Sequence, residues 1–182
     1  IENIYKHIIY IKYNMSSYTS DQILKTVLTI TPGDIQKDID NAIKQKLQDR
    51  VEGVCYEDGY IIKGSSQIIK RSPGRVISHN KKGGIQYTIT YKAKIISPSQ
   101  GDVYDAVISN INKMGAIAFI QLKEQDTEED SPVIIIIPKI YFEGTQLNID
   151  DLTKKQKIKI EVVGSRIKYQ SDKVQIVAKP IQ

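Results

Sequence analysis

One cysteine, Cys55, and two histidines, His7 and His79, are all that 182 residues offer to disulfide or soft-metal chemistry. A single thiol excludes an intramolecular disulfide framework and suits a reducing compartment. Cys55 lies in an apolar stretch with no histidine beside it to activate it, so it reads as a buried, inert thiol. No Cys/His cluster has metal-ligand spacing. No glycine run has the G-x-x-x-x-G-K-[ST] form that cradles phosphates. Acidic pairs such as Asp150-Asp151 precede lysine-rich strands and read as helix or turn caps. No active site is read, and no cofactor is expected. Apolar runs fall short of the roughly 20 residues of a membrane helix, and no secretory pattern opens the chain. The expectation is a soluble, intracellular protein.

Arginine is scarce as well: Lys outnumbers Arg by 22 to 4 and Ile far outnumbers Leu, the bias of an AT-rich genome. The net charge of +5 is unevenly spread. Residues 1–100 carry 15 Lys/Arg against 9 Asp/Glu, and residues 101–182 carry 11 against 12. The second half owes its neutrality to a run from Glu124 to Asp130 with five carboxylates. That run reads as a solvated hairpin loop. The sharper alternative is a negative shield that steers a polyanion to one side.

Hydrophobic periodicity divides the chain into two units of roughly 80 residues joined at Pro98-Ser99-Gln100-Gly101. Units that small bury modest cores and gain by packing on each other or on a partner. In the first, Ile23 to Ile30 is extended, and Pro32 with Asp34 signals a helix start. Ile35, Ile39, Ile43 and Leu47, joined by Ala42, form one apolar stripe, so a helix is expected over Pro32 to Gln48. Cys55 to Lys63, Gln67 to Ser78 and Ile85 to Ile96 read as strands, with turns at Asp58-Gly59, Gly64-Ser65 and Lys81 to Gly84. In the last strand Tyr87, Ile89, Tyr91, Ala93 and Ile95 face one way, and Thr88, Thr90, Lys92 and Lys94 the other.

The second unit reads as five strands: Asp102 to Ile111, Ala116 to Leu122, Pro132 to Ile137, Lys157 to Val163, and Arg166 to Ala178 with a break near Gln170 to Asp172. Its opening hairpin, with the turn Asn112-Lys113-Met114-Gly115, is that of an OB-type barrel, a fold that commonly presents single-stranded nucleic acid on its strands. Ile134 to Ile137 is apolar on both faces, so its outer face is expected to be covered.

Several motifs in order carry a resemblance over nearly the whole chain from Tyr18. They are Val51-Glu52-Gly53-Val54-Cys55 followed by Asp58-Gly59-Tyr60-Ile61-Ile62, YKA within the strand from Gly84 to Ser97, Pro98-x-x-Gly101-Asp102-Val103 at the junction, and Asn112-Lys113-Met114-Gly115 in the turn. Together they resemble the stalk subunit shared by archaeal and eukaryotic RNA polymerases, subunit seven in RNA polymerase II. The resemblance implies an α+β protein in which a truncated ferredoxin-like (RNP-like) tip domain, residues 18–97, precedes an all-β OB-fold barrel, residues 102–182, through the linker 98–101. It implies a non-catalytic polymerase subunit that acts in transcription initiation and handles nascent RNA. The implied partners are the polymerase core, a second stalk subunit in a heterodimer, and single-stranded nascent RNA. Residues 1–14 have no counterpart in that family and read as translated upstream sequence before a native start at Met15, with a genuine extra edge strand as the alternative; residues 1–17 together are read as a non-native or disordered leader. The I-x-R-S-P wording around Arg71 is closer to versions from large DNA viruses. The expected location is therefore the nucleus for a cellular protein, or host cytoplasm and virion for a viral one.

Candidate RNA contacts lie in or beside the turns and strand ends where an OB barrel meets nucleic acid: Lys113, Lys123, Lys139, Tyr141, Phe142, Arg166, Lys168 and Tyr169. Lysines supply salt-sensitive attraction to phosphates, and aromatics supply stacking platforms. Each residue has a plainer reading, as a surface lysine or as a cap on the barrel core. Where the family has aromatics after K-M-G, this chain has Ala116 and Ile117, which shifts the weight from stacking to charge. Docking on the polymerase core is assigned to Gly59, Tyr60, Lys63, Lys70, Arg71, Pro73 and Arg75; for the basic group Lys70 to Arg75, RNA or a solvated loop are the alternatives. The competing function is a free-standing OB-fold RNA-binding protein of translation or RNA decay, which has no use for the unit before the barrel.

Overall fold

A computed structural model of the chain describes residues 18–35, 38–79, 82–123, 125–143, 145 and 147–181. The expected leader, residues 1–17, and part of the turn at Lys81 lie outside them. The chain divides into two compact units. One comprises Ser20–Gly53 and Ile61–Ile95; the other comprises Val54–Tyr60 and Ile96–Gln182, with Tyr18 and Thr19.

The first unit is one helix on an antiparallel sheet. Strand β1 (Ser20–Ile30) pairs along its whole length with a long strand, β6 (Lys82–Ile96), from Ser20 opposite Ile95 to Ile30 opposite Ile85. Strands β4 (Gln67–Arg71) and β5 (Arg75–His79) both pair with β6 as well. The alternation read in β6 holds: Tyr87, Ile89, Tyr91, Ala93 and Ile95 are buried, while Thr88, Lys92 and Lys94 are exposed. The strand begins earlier than expected, at Lys82, because Gly83 and Gly84 pair with Ser78 and Ile77 instead of turning.

The helix differs from expectation at its start. Helix α1 runs Ile39–Val51, not from Pro32. Residues Pro32–Asp34 form a separate 3-10 turn, because Asp34 Oδ2 accepts from both the Thr31 amide (2.7 Å) and the Thr31 hydroxyl (2.8 Å). Ile35 then leaves in extended conformation, and Asp38 caps the new start by accepting from the Asn41 amide at 2.7 Å. Of the expected stripe, Ala42, Ile43 and Leu47 are buried with Val51, whereas Ile35 is exposed and lies outside the helix. Glu52 then closes the loop before β4, accepting from the amides of Gly64 (2.6 Å) and Ser66 (3.0 Å).

The second unit is a closed five-stranded barrel. Its strands are β7 (Val103–Asn112), β8 (Gly115–Phe119), β9 (Val133–Pro138), β10 (Lys157–Arg166) and β11 (Val174–Ile181). Around the barrel the order is β7-β8-β9-β11-β10 and back to β7, with β9 and β11 parallel and the other pairs antiparallel. This Greek-key closure is OB-like and leaves no free edge. Ile108, Ala118, Ile135, Ile137, Ile160 and Ile176 fill its interior. The last two strands differ from the reading above: β10 continues to Arg166, and β11 begins only at Val174, because the loop 167–173 turns through Gln170 at positive φ. The segment Pro98 to Gly101 lies along β10: the Ser165 hydroxyl donates to Pro98 O at 2.7 Å and the Gly101 amide to Val162 O at 2.9 Å.

A short hairpin also belongs to this unit. Strand β2 (Cys55–Tyr56) pairs with the start of β3 (Gly59–Ile61). The Cys55 amide donates to Ser171 O and its carbonyl accepts from the Gln170 amide, both at 2.8 Å. Burial, with the Asp172 carboxylate nearby, pushes the Cys55 thiol up to about 11, so the group is protonated and unreactive.

Candidate nucleic-acid interface

The eight candidate RNA contacts fall into two groups at opposite ends of the barrel. At one end Asn112 pairs with Gly115, and Gly115 with Pro138, so the β7–β8 turn lies beside the exit of β9. Asn112 Oδ1 accepts from the amides of Met114 (2.9 Å) and Gly115 (3.0 Å), which holds Lys113 and Met114 outward. The Lys139 amide donates to Met114 O at 2.9 Å, so the turn is tied to the 3-10 segment Lys139–Phe142. Lys113 and Lys139 are thus brought together, both exposed, with Met114 (84% exposed) and Ile140 (66%) between and beside them. Tyr141 is half-buried at this end. Phe142 is buried, its ring inside the fold.

The turn depends on glycine. Gly115 has φ of 151°, and a Cβ there would lie 2.2 Å from Ile137 O. No side chain fits without moving the β8–β9 pair.

Arg166, Lys168 and Tyr169 lie at the other end, where Arg166 pairs with Gln175 and Val174 with Val133. All three are exposed, Tyr169 by 59%, and its ring meets Tyr56 edge-on at 5.5 Å. Lys123 joins them just beyond the end of β8. The acidic loop is anchored at this end too. Lys173 Nζ donates to Glu128 O at 2.6 Å, and Asp126 accepts from the amides of Leu122 (3.1 Å) and Lys123 (2.8 Å). Asp130 accepts from the Thr127 amide at 3.1 Å, and Glu128 from the Ser109 hydroxyl. The acidic loop thus lies at the same end as Arg166, Lys168 and Tyr169; among the described residues no carboxylate pairs with these cations or with Lys113 and Lys139. The sequence pattern held no signal for this division, since it depends on which strand ends the barrel closure gathers.

Between the two ends, Ile117 is opposite Ile136, and Ile136 is opposite Val177. Ile136 is 43% exposed, so the outer face expected to be covered is open in the chain alone.

The residues assigned to polymerase docking are likewise divided. Gly59 and Tyr60 are buried within the barrel unit, where burial raises the Tyr60 phenol with Cys55 and Asp172 adding to it. Lys63, Lys70, Arg71, Pro73 and Arg75 are exposed in the other unit. Arg71 pairs with Asp40 at 3.0 Å and lies 5.5 Å over the Tyr87 ring, on the helix side of the sheet. Among the described residues no group of His, Cys, Asp and Glu is placed to hold a metal, and no helix is long and apolar enough to cross a membrane.

Comparison with known proteins supports the resemblance read from the motifs. Over 99 residues the chain is 32% identical to DNA-directed RNA polymerase II subunit rpb7 of Schizosaccharomyces pombe, covering 53% of this chain and 56% of that protein. The chain thus resembles the polymerase stalk subunits, and the match spans about half the length of the curated relative. No family model matches. The solved structure of an uncharacterized protein from Methanocaldococcus jannaschii aligns with 47% of this chain and 96% of that one, at 20% identity and a TM-score of 0.33.

Proposed function

We propose that the chain is a non-catalytic stalk subunit of a multisubunit DNA-directed RNA polymerase, and that its barrel binds nascent RNA. The similarity to subunit rpb7, in a chain that closes an OB-like barrel, carries this reading. The first unit, one helix on an antiparallel sheet, is then the truncated ferredoxin-like tip. It docks on the polymerase core through exposed positions that include Lys63, Lys70, Pro73 and Arg75. RNA meets the barrel chiefly at the Lys113 and Lys139 end, because the carboxylates of the 125–130 loop weaken attraction at the other. With Ala116 and Ile117 after the turn, binding rests on phosphates more than on stacking. A second stalk subunit covers the row Ile117, Ile136 and Val177, which alternates outward and is apolar on three adjacent strands. The protein works in the nucleus if cellular and in host cytoplasm or virion if viral.

Affinity purification of a tagged chain tests the reading: the large polymerase subunits are expected in the eluate at low salt. Recovery of ribosomes with no polymerase would replace it with a free-standing RNA-binding protein.

A further inference from the structure

We propose that Ser72 is a phosphorylation site for a proline-directed protein kinase, and that the phosphate is held between Lys70 and Arg75. Four of the six prolines follow a serine or threonine, at Thr31, Ser72, Ser97 and Ser131. A proline-directed kinase accepts proline after its target because the cleft uses no amide N–H there, which proline lacks. Many such kinases also prefer a base three positions on. Ser72-Pro73-Gly74-Arg75 alone meets both demands; the other three have Asp34, Gln100 and Ile134 at the third position. The structure holds back two of those three as well. Ser131 is buried with its hydroxyl donating to Ile120 O at 2.8 Å, and the Thr31 hydroxyl is tied to Asp34 at 2.8 Å.

The chain around Ser72 already has the extended form that a kinase cleft takes. Strands β4 and β5 continue one another along β6: Arg71 is opposite Ile89, the Ser72 amide donates to Thr88 O at 2.9 Å, and Arg75 is opposite Gln86. Pro73 and Gly74 together face the single residue Tyr87, so they form a bulge in this strip. Among the described residues no strand pairs with its outer side, and every residue of β4 is exposed. Freeing the strip gives up hydrogen bonds but little apolar burial, so local opening delivers the half-buried Ser72 to a kinase at modest cost.

The register supplies the cations. Lys70 is opposite Thr90 and Arg75 opposite Gln86, one alternate position to either side of Thr88, or about 6.7 Å along the strand. A bulge between Ile68 and Lys70 brings Lys70 to this face, and Lys25 joins it from β1, also opposite Thr90. The Ser72 hydroxyl oxygen accepts from the Thr88 amide at 3.0 Å and donates to Pro73 O at 2.9 Å. In the transfer its bond to the γ-phosphorus of MgATP forms as ADP leaves, and the hydroxyl proton passes to the kinase's catalytic carboxylate. The bond to Pro73 O is then lost, and the phosphate oxygens gain Lys70, Arg75 and the Thr88 amide as donors. Residues 61–95 contain no Asp or Glu, so nothing in these strands repels the new charge.

The site does not depend on the polymerase reading. The full chain, incubated with MgATP and a cyclin-dependent kinase, should gain one phosphoryl group by intact mass spectrometry, and peptide mapping should place it on Ser72. Ser72→Ala should abolish the gain, whereas Ser97→Ala should keep it. Arg75→Gln, a change at an exposed position, should slow labelling about tenfold through the loss of one charge-assisted contact in the kinase cleft. In the labelled chain, phosphorus NMR should find the second phosphate ionisation below its ordinary value of about 6, and Lys70→Gln should return it towards that value. No labelling of the native chain, or labelling on Ser97 or Thr31 in place of Ser72, would overturn the site. A second ionisation at about 6 that Lys70→Gln leaves unmoved would overturn the hold on the phosphate.

Discussion

Neutralising the two barrel ends in turn should reveal which one holds RNA. The paired changes are Lys113→Gln with Lys139→Gln at the turn end, and Arg166→Gln with Lys168→Gln at the acidic-loop end. The ends are separated by the length of β9, Val133–Pro138, which at about 3.3 Å per residue is roughly 17 Å between terminal positions. A stacked strand rising about 3.4 Å per nucleotide covers that distance in about five steps. A 12-nucleotide probe can therefore reach both ends, and a trinucleotide only one. If both lysines of the turn end contact phosphate, their loss removes about 1.4 from the salt slope, two contacts at about 0.7 each. Arg166 and Lys168 should give less than half of that, because Glu128, Glu129 and Asp130 at the same end already offset their charge. Changing Glu128 and Glu129 to Gln should then raise affinity and bring the Arg166 and Lys168 contribution up towards the same value. The assay is anisotropy across KCl concentration, with circular dichroism confirming that each variant keeps its fold. Equal slope losses from the two pairs, or a larger loss from Arg166 and Lys168, would refute the assignment to the Lys113 end.

Tyr169→Ala should cost less than about 1 kcal/mol in RNA affinity if charge carries binding; a loss of 1–3 kcal/mol would show that a base stacks on its exposed ring. Gly115→Ala should destabilise the protein by about 3 kcal/mol, because a Cβ 2.2 Å from Ile137 O must displace a strand of the barrel, and urea denaturation reads the loss. Asp34 is held down at about 2, first by its hydrogen bond from Lys46 at 2.5 Å and then by the Thr31 amide. Its folded-state value lies below the unfolded one, so its contribution is present above about pH 4 and is lost as pH falls toward 2. With both partners about one-third exposed, solvent screening reduces that contribution to about 1 kcal/mol, and Lys46→Met should flatten the acid limb of stability between pH 4 and 2. Native Cys55 should resist a thiol reagent at pH 8 and react fully only in denaturant; fast labelling of the folded protein would contradict its burial.

Period-two alternation sufficed for the inner face of β6 and for most barrel strands, because a half-buried strand must place alternate residues inside whatever its neighbours are. The four-residue apolar repeat likewise sufficed for the middle of α1. It failed at the start, where Pro32 and Asp34 satisfy a helix signal and a 3-10 turn equally well; the carboxylate of Asp34 turned back on Thr31 decides for the turn. Motif order pointed to a polymerase stalk protein without any geometry. What no local pattern contains is which residues the strand pairing gathers. Closure of the barrel puts Lys113 beside Lys139 and sends Arg166 and Lys168 to the acidic end. Pairing of β1 and β4 on either side of β6, with one bulge, collects Lys25, Lys70, Lys92 and Lys94 on one face, although up to 69 positions separate them in the chain. Alternation is a property of each strand alone, whereas a charged surface is made by register between strands, and register is settled only when the whole sheet closes over its core.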